Sequence, residues 1–314
     1  MARSGEVLAV QGPAAAGLRA AAGAVRRDRQ ADGHRVDPRS ILALAAAAGR
    51  PRDLLGRRRY RSQPGRVRPS RKRPRDTGRS AFVQVRMAAL VEVGSHAVLD
   101  AELAGCRTGE VTLVGRLPRS CGPGQLVLAD REFLGVPLWR AFTTTRADLL
   151  WRVPANRVLP VRKLLRDGSW PSRIHAGTDS AKRDPVEVRV LSYQLKDTGG
   201  GAAADDYRLV TSLLDARRHP ARQLAALYHE RWEIESVFAE IKTQQRGARV
   251  VLSSKTPDGV LQQIWAHLLV HHALRELMLR TAATRQLDPD RASFTETLRS
   301  ARRSVTVTLG SFSP

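Results

Sequence analysis

The chain has 314 residues, with 53 Lys and Arg against 30 Asp and Glu, a formal net charge of +23. Such a balance points to an anionic polymer, most economically nucleic acid, although an Arg-rich translation of GC-rich DNA accounts for part of it. The longest wholly apolar run, Ile41 to Ala48, is far too short to span a membrane. Cys106 and Cys121, the only cysteines, have no CxxC or zinc spacing and read as reduced, incidental thiols of a cytosolic protein. No apolar leader segment of the secretory kind is evident at the start. The length allows two domains and a sizeable core.

Residues 1–79 hold 20 Lys and Arg against 6 Asp and Glu, with runs such as RRRYRSQPGRVRPSRKRPR at 57–75. No strand pattern is legible there. Helix fits Pro13 to Asp28 and Pro38 to Ala48, neither with a clear amphipathic face. The composition predicts a disordered basic arm, or the product of GC-rich DNA read in the wrong frame. Order begins at Ala81. Phe82–Val93 and Ala97–Leu103 read as two strands joined by a Gly-Ser turn, and Asp100 on the second reads as an ordinary exposed strand residue. Glu110–Leu117 suggests a short helix that Pro118 and Gly122–Gly124 end. Gln125–Ala129 is a short continuous apolar run, as in a strand buried on both faces. Asp130 follows at its C-terminal end, where open α/β sheets place their ligands. A carboxylate there is either a helix N-cap or a metal ligand.

Pro137–Thr145 reads as helix and Asp148–Val153 as strand. A segment rich in Val, Trp and turn residues then runs to Leu214, with strands in EVRVLSYQL (187–195) and DYRLVTSLL (206–214). Its GGGAAADD stretch (199–206) reads as a hairpin tip and lacks the Gly-Lys-Ser/Thr ending of a phosphate loop. From Pro220 a long helix is predicted over 221–245. At 100° per residue, Leu227, Ile234, Val237, Phe238 and Ile241 form its apolar stripe, and Glu230, Glu233 and Glu240 a solvated side. Tyr228, Arg231, Glu235 and Lys242 share a third arc at the border of the buried face. Such an arc is either a solvated charged face or a row of phosphate-seeking groups beside a carboxylate. SSKTPDG (253–259) is a loop bearing Lys255, and Gly259–Arg280 is another amphipathic helix. His267 and His271, four apart, lack the Glu of HExxH and read as packing residues. The tail 291–314 is basic and polar.

Tyr228-(2)-Arg231-(3)-Glu235-(6)-Lys242 resembles the signature of the DDE transposases of bacterial insertion sequences in the IS-four family. VLADREF around Asp130 resembles that family's second acidic motif. LLWRVPAN (149–156), LPV...LRDGSW (159–170) and VLSSKTPDGVLQQIWAHLL (251–269) also look like family segments, so the resemblance runs from Ala81 to Pro314. It implies an α/β, RNase H-like mixed sheet flanked by helices and interrupted by a β-rich insertion. The implied units are a basic arm (1–79), the first part of the catalytic domain (80–150), the insertion (151–214) and the second part with the signature helix (215–314).

The resemblance further implies metal-dependent cleavage and strand transfer of double-stranded DNA, at transposon ends and target. Asp130 and Glu235 would be catalytic and would ligate Mg²⁺ or Mn²⁺, two ions in an intact member. Tyr228, Arg231, Lys242 and Lys255 would contact DNA, with a homodimer in the DNA complex, in the bacterial cytoplasm at the nucleoid. The first acidic motif, an Asp-Gly-Thr expected just upstream of Phe82, is missing. Asp76, the nearest acid, sits in an Arg/Pro stretch. The region is therefore read as degenerate or frameshifted, and catalysis as lost or severely impaired. Two other readings compete: a different RNase H-like nuclease or resolvase with a first-strand carboxylate in 1–79, and a basic, non-enzymatic DNA-coating protein.

Overall fold

The computed structural model describes residues 40–48, 68–71, 79–105, 107–154, 156–194, 206–247, 252–254 and 256–310. Among the described residues nine strands form one mixed sheet: β1 (Ser40–Ala48), β2 (Arg68–Arg71), β3 (Arg79–Glu92), β4 (Ala97–Gly105), β5 (Gln125–Ala129), β6 (Asp148–Arg152), β7 (Trp170–Ile174), β8 (Val186–Gln194) and β9 (Asp206–Thr211). Their order is β2-β3-β1-β5-β6-β9-β8-β7, with β4 also paired to β3. The α-helices of the described residues are α1 (Glu110–Val114), α2 (Val136–Thr143), α3 (Ala221–His229), α4 (Glu233–Ala239), α5 (Pro257–Thr284) and α6 (Phe294–Gly310).

The centre of the sheet follows from its apolar runs. All five residues of β5 are buried, as a strand covered on both faces requires. It runs parallel to β6 on one side and to β1 on the other. Behind β6, Trp151 is met edge-on by Trp139 and Phe142 of α2, at centroid distances of 5.2 and 5.8 Å.

Strand β1 corrects the reading of the first quarter. Ser40–Ala48, predicted as helix, is a central strand, parallel to β5 and antiparallel to β3. Its alanines carry helix propensity, yet β3 pairs with Leu42–Ala48 and β5 with Ser40–Leu44, and tertiary pairing overrides a weak local preference. The opening strand thus lies well before Phe82 rather than just upstream of it. The predicted helix at 13–28, the run 57–67, Asp76, Cys106 and the 199–205 stretch lie outside the described residues. The strands of 151–214 do not make a separate sheet: β9, β8 and β7 continue the central one from β6. Among the described residues no helix is long and apolar enough to cross a membrane.

The predicted long helix 221–245 is segmented. After α3, residues Glu230–Trp232 form a 3₁₀ turn. Then comes α4, and Glu240–Gln245 is a π-helix. A 3₁₀ turn closes after fewer residues than an α turn and a π turn after more, so a constant 100° step no longer locates the faces.

Candidate active site

Asp130 leaves the end of β5 and precedes a 3₁₀ turn, Arg131–Phe133, without making a side-chain cap bond. The N-cap alternative therefore does not account for its carboxylate. Its Oδ1 is buried with no hydrogen-bond partner, and the Arg152 guanidinium at the end of β6 stands 3.9 Å away. Arg152 in turn lies over the Tyr207 ring, 4.1 Å from its centroid. Spacing gave no hint of Arg152. Only the parallel β5–β6 register, pairing Ala129 with Trp151, brings it beside Asp130.

The signature helix docks on this strand end. Tyr228 is 2% exposed and its hydroxyl donates to the Ala129 carbonyl at 3.1 Å, one residue before Asp130. Burial first, and the negative charge of Asp130 second, hold the Tyr228 phenol well above its usual range. It stays protonated and acts as a donor. Arg231 is equally buried, with its guanidinium 5.2 Å from the Tyr228 ring centroid. Burial pulls its pKa down to about 10, against the opposing pull of Glu235, so it remains a cation at neutral pH. Glu235 is exposed. Lys242 is half-buried on the π-helix, with Nζ 5.0 Å from the Phe238 ring centroid. The four signature residues therefore do not share one arc at the border of the buried face. Tyr228 and Arg231 sit inside the fold, while Glu235 reaches water. Lys255 lies outside the described residues.

Glu240, expected on the solvated side, is buried instead. Its Oε2 accepts from His271 Nε2 at 2.9 Å and from Arg275 Nε at 3.0 Å, and its Oε1 from Arg275 Nη2. Arg275 Nη2 also lies 2.6 Å from Nδ1 of His96, in the turn between β3 and β4. His271 thus packs as read from the sequence, in an ion-paired cluster. The π turn is what rotates Glu240 inward. Asp100 is only partly exposed and is held by Arg119 in a two-bond ion pair, with Ser120 also donating to it. It is an ion-pair partner on β4, two strands away from β1, rather than an exposed strand residue.

The residues present do not complete the two-ion centre that the resemblance implies. Such a centre needs clustered carboxylates from a first strand, a second strand and a helix. The sequence of β1 contains no Asp or Glu. Extending its register with β5 by one step past Leu44–Ala129 pairs position 45, an alanine, with Asp130. Among the described residues no group of three Asp, Glu, His or Cys is placed to hold a metal.

A family model for the transposase DDE domain matches residues 58–272, well over half of the chain. The transposase InsG for insertion sequence element IS4 of Escherichia coli (strain K12) is 28% identical over 223 residues, covering 68% of this chain and 49% of that protein. The chain spans about half the length of this curated relative. Among solved structures, the piggyBac transposase synaptic complex with hairpin DNA superposes over 83% of this chain and 51% of its own, at 13% identity and a TM-score of 0.48. By its domain match, and with the transposase of IS4 as a relative, the chain belongs to the DDE transposases of the IS4 family.

Proposed function

We propose that the chain is a DNA-binding transposase body of RNase H-like form that engages double-stranded DNA, transposon ends and target, but cleaves it poorly or not at all. In this reading Asp130 and Glu235 are the second and third acids, the positions at which an intact relative would hold Mg²⁺ or Mn²⁺. Lys242 and Lys255 neutralise phosphates of the held end, and a second copy joins in the DNA complex. Tyr228 and Arg231 serve one step back from the DNA, anchoring the helix to the end of β5 so that Glu235 and Lys242 are presented together. The arm before Ser40 and the segment between β1 and β2 add basic charge for the polyanion, in the cytoplasm at the nucleoid. The β-rich stretch 151–214 corresponds to the family's insertion.

The observation that carries this reading is the composition of β1. A strand in the central position beside β5 has an alanine where a carboxylate would stand next to Asp130. With the first acid gone, Arg152 is the charge that faces Asp130. DNA affinity, which comes from Lys and Arg, is untouched by that loss.

Fluorescence anisotropy with a duplex across a salt series tests the binding half. Lys242→Ala should weaken binding and lower the salt slope by about one phosphate contact. Glu235→Ala should leave affinity unchanged or slightly raised, because it removes a negative charge near phosphate. Absence of salt-dependent duplex binding by the unaltered chain would sink the proposal. Loss of affinity in Glu235→Ala alone would remove Glu235 from its assigned role.

A further inference from the structure

The other end of the sheet carries a second concentration of positive charge. Strand β7 is the sheet edge, and the segment 156–166 runs beside it, tied by Arg157 Nη2 donating to the His175 carbonyl at 2.9 Å and Ser172 Oγ to the Pro160 carbonyl at 3.4 Å. Between them lies a groove of about 410 Å³ lined by Arg157, Arg162, Arg173, His175 and Lys182, with no carboxylate among the described residues of its wall. It adjoins a cavity of about 250 Å³ that shares Arg162, Ser172 and Arg173 and has Glu187 in its wall.

The surrounding acids are already engaged. Asp167 pairs with Arg189 and Asp184 with Arg140. Asp179 takes backbone N–H groups of Arg183 and Asp184, and Glu187 pairs across the strands with Arg173. Hydrogen bonds hold Asp179 and Asp184 below the usual carboxylate range, so both stay ionised in these pairings. Arg162 and Lys182 are exposed and have no carboxylate partner among the described residues. In the groove wall Arg173 is offset by Glu187 and His175 stands 3.5 Å from Asp179, whereas Arg157, Arg162 and Lys182 have no carboxylate partner among the described residues, and three such cations around one groove select an anion.

We propose that this groove is a second phosphodiester-backbone site, which grips duplex DNA away from the Asp130–Glu235 end. It rests on the DNA-binding reading above. In the sheet order β7 is four strands from β5, about 19 Å at 4.8 Å per strand. Strand β7 also runs away from the level of Asp130, since Ile174 pairs with Val186 at the far end of β8. A duplex seated at the site therefore reaches the groove only if it continues for about six or more base pairs at 3.4 Å each.

The test is the double variant Arg162→Ala/Lys182→Ala, whose exposed side chains leave the core intact. Binding is followed by anisotropy with duplexes of about 6 and about 20 base pairs. The long duplex should lose about two phosphate contacts, so that its affinity falls about tenfold less than for the unaltered chain between 50 and 200 mM salt. The short duplex should be unaffected, and Lys242→Ala should add to the loss independently. An unchanged salt slope on the long duplex, with unchanged melting temperature, overturns the groove while leaving DNA binding in place. If the unaltered chain binds neither duplex, the functional reading itself has failed. Val158, Val161 and Leu164 beside the groove are 82%, 56% and 65% exposed, which also suits an acidic protein. Poly-glutamate binding that the double variant abolishes, with long-duplex binding unchanged, would assign the groove to such a partner and overturn the proposal.

Discussion

Glu240→Ala should destabilise the protein by about 3–5 kcal/mol, the usual cost of leaving a buried charge without its partner. One carboxylate, 5% exposed, joins the π-helix to His271 and Arg275 on α5, and through Arg275 to His96 in the β3–β4 turn. Phe294 of α6 packs on the same pair, 5.3 Å from the His271 ring and 5.6 Å from the Arg275 guanidinium. Removing Glu240 strands Arg275, itself 5% exposed, in the interior. For a chain of this size the melting temperature should fall by roughly 10 °C.

The same cluster sets a pH response. Burial holds the His271 imidazole below its ordinary range, outweighing the pull of Glu240. Burial pushes Glu240 up, but hydrogen bonding from His271 and the charge of Arg275 bring it below its usual range. Both shifts mean that the unfolded chain takes up protons more readily than the folded one. Their contribution is therefore complete above the ordinary histidine range. The His271 part is lost as pH falls below about 6.5, and the Glu240 part only as pH falls further, through and below about 4.5. Thermal melts from pH 8 to pH 4 should show falling stability, with a steeper fall below about pH 6.5 in Glu240→Ala, which removes the group that pulls His271 upward and leaves burial and Arg275 to hold it down. Equal slopes in the two proteins would contradict the cluster's role.

Arg189→Met should cost about 3 kcal/mol or more, because a 1%-exposed guanidinium closes four hydrogen-bonding groups at once. Its Nε donates to Ser169 Oγ at 2.8 Å, its Nη1 to the Leu213 carbonyl at 3.1 Å, and its Nη2 to Asp167 Oδ2 at 2.7 Å and the His219 carbonyl at 2.8 Å. Asp167 Oδ2 also accepts from the Ala221 backbone N–H at 2.9 Å, the first residue of α3. The clamp thus fixes where the signature helix begins. Arg189→Lys should recover little of the loss, since an ammonium cannot reproduce the planar fork. Denaturant melts measure the loss. A variant of unaltered stability would mean that the start of α3 is held by packing alone.

How much of this was readable from the sequence depended on whether a local pattern or a distant partner decided each element. QLVLA became β5 within its predicted bounds, and the turn at 94–95 separated β3 from β4, because apolar runs and turn residues act locally. Strand β1 was misread because an alanine-rich run carries a single β-branched residue, Ile41. Its conformation is imposed by β3 and β5, which lie 30 or more residues away in sequence. The place of Asp130 at the end of β5 and the order of the signature residues along the chain were legible. Their faces were not, since the 3₁₀ and π turns break the constant step on which that geometry relied. The turn that buries Glu240 is matched by contacts to His271 and Arg275, residues 31 and 35 positions later. Their i,i+4 spacing on α5 was present in the sequence but pointed to no partner.

The most direct test of the central claim is plasmid nicking in Mg²⁺ or Mn²⁺ by the unaltered chain and by Ala45→Asp. This substitution places a carboxylate one residue past Leu44, whose partner Ala129 precedes Asp130. The unaltered chain should nick supercoiled DNA at background rate. Ala45→Asp should raise the metal-dependent rate at least about tenfold, a barrier change of about 1.4 kcal/mol, and Glu235→Ala in that background should abolish the gain. Metal-dependent nicking by the unaltered chain that Glu235→Ala removes would contradict the claim, since two of the acids would then suffice.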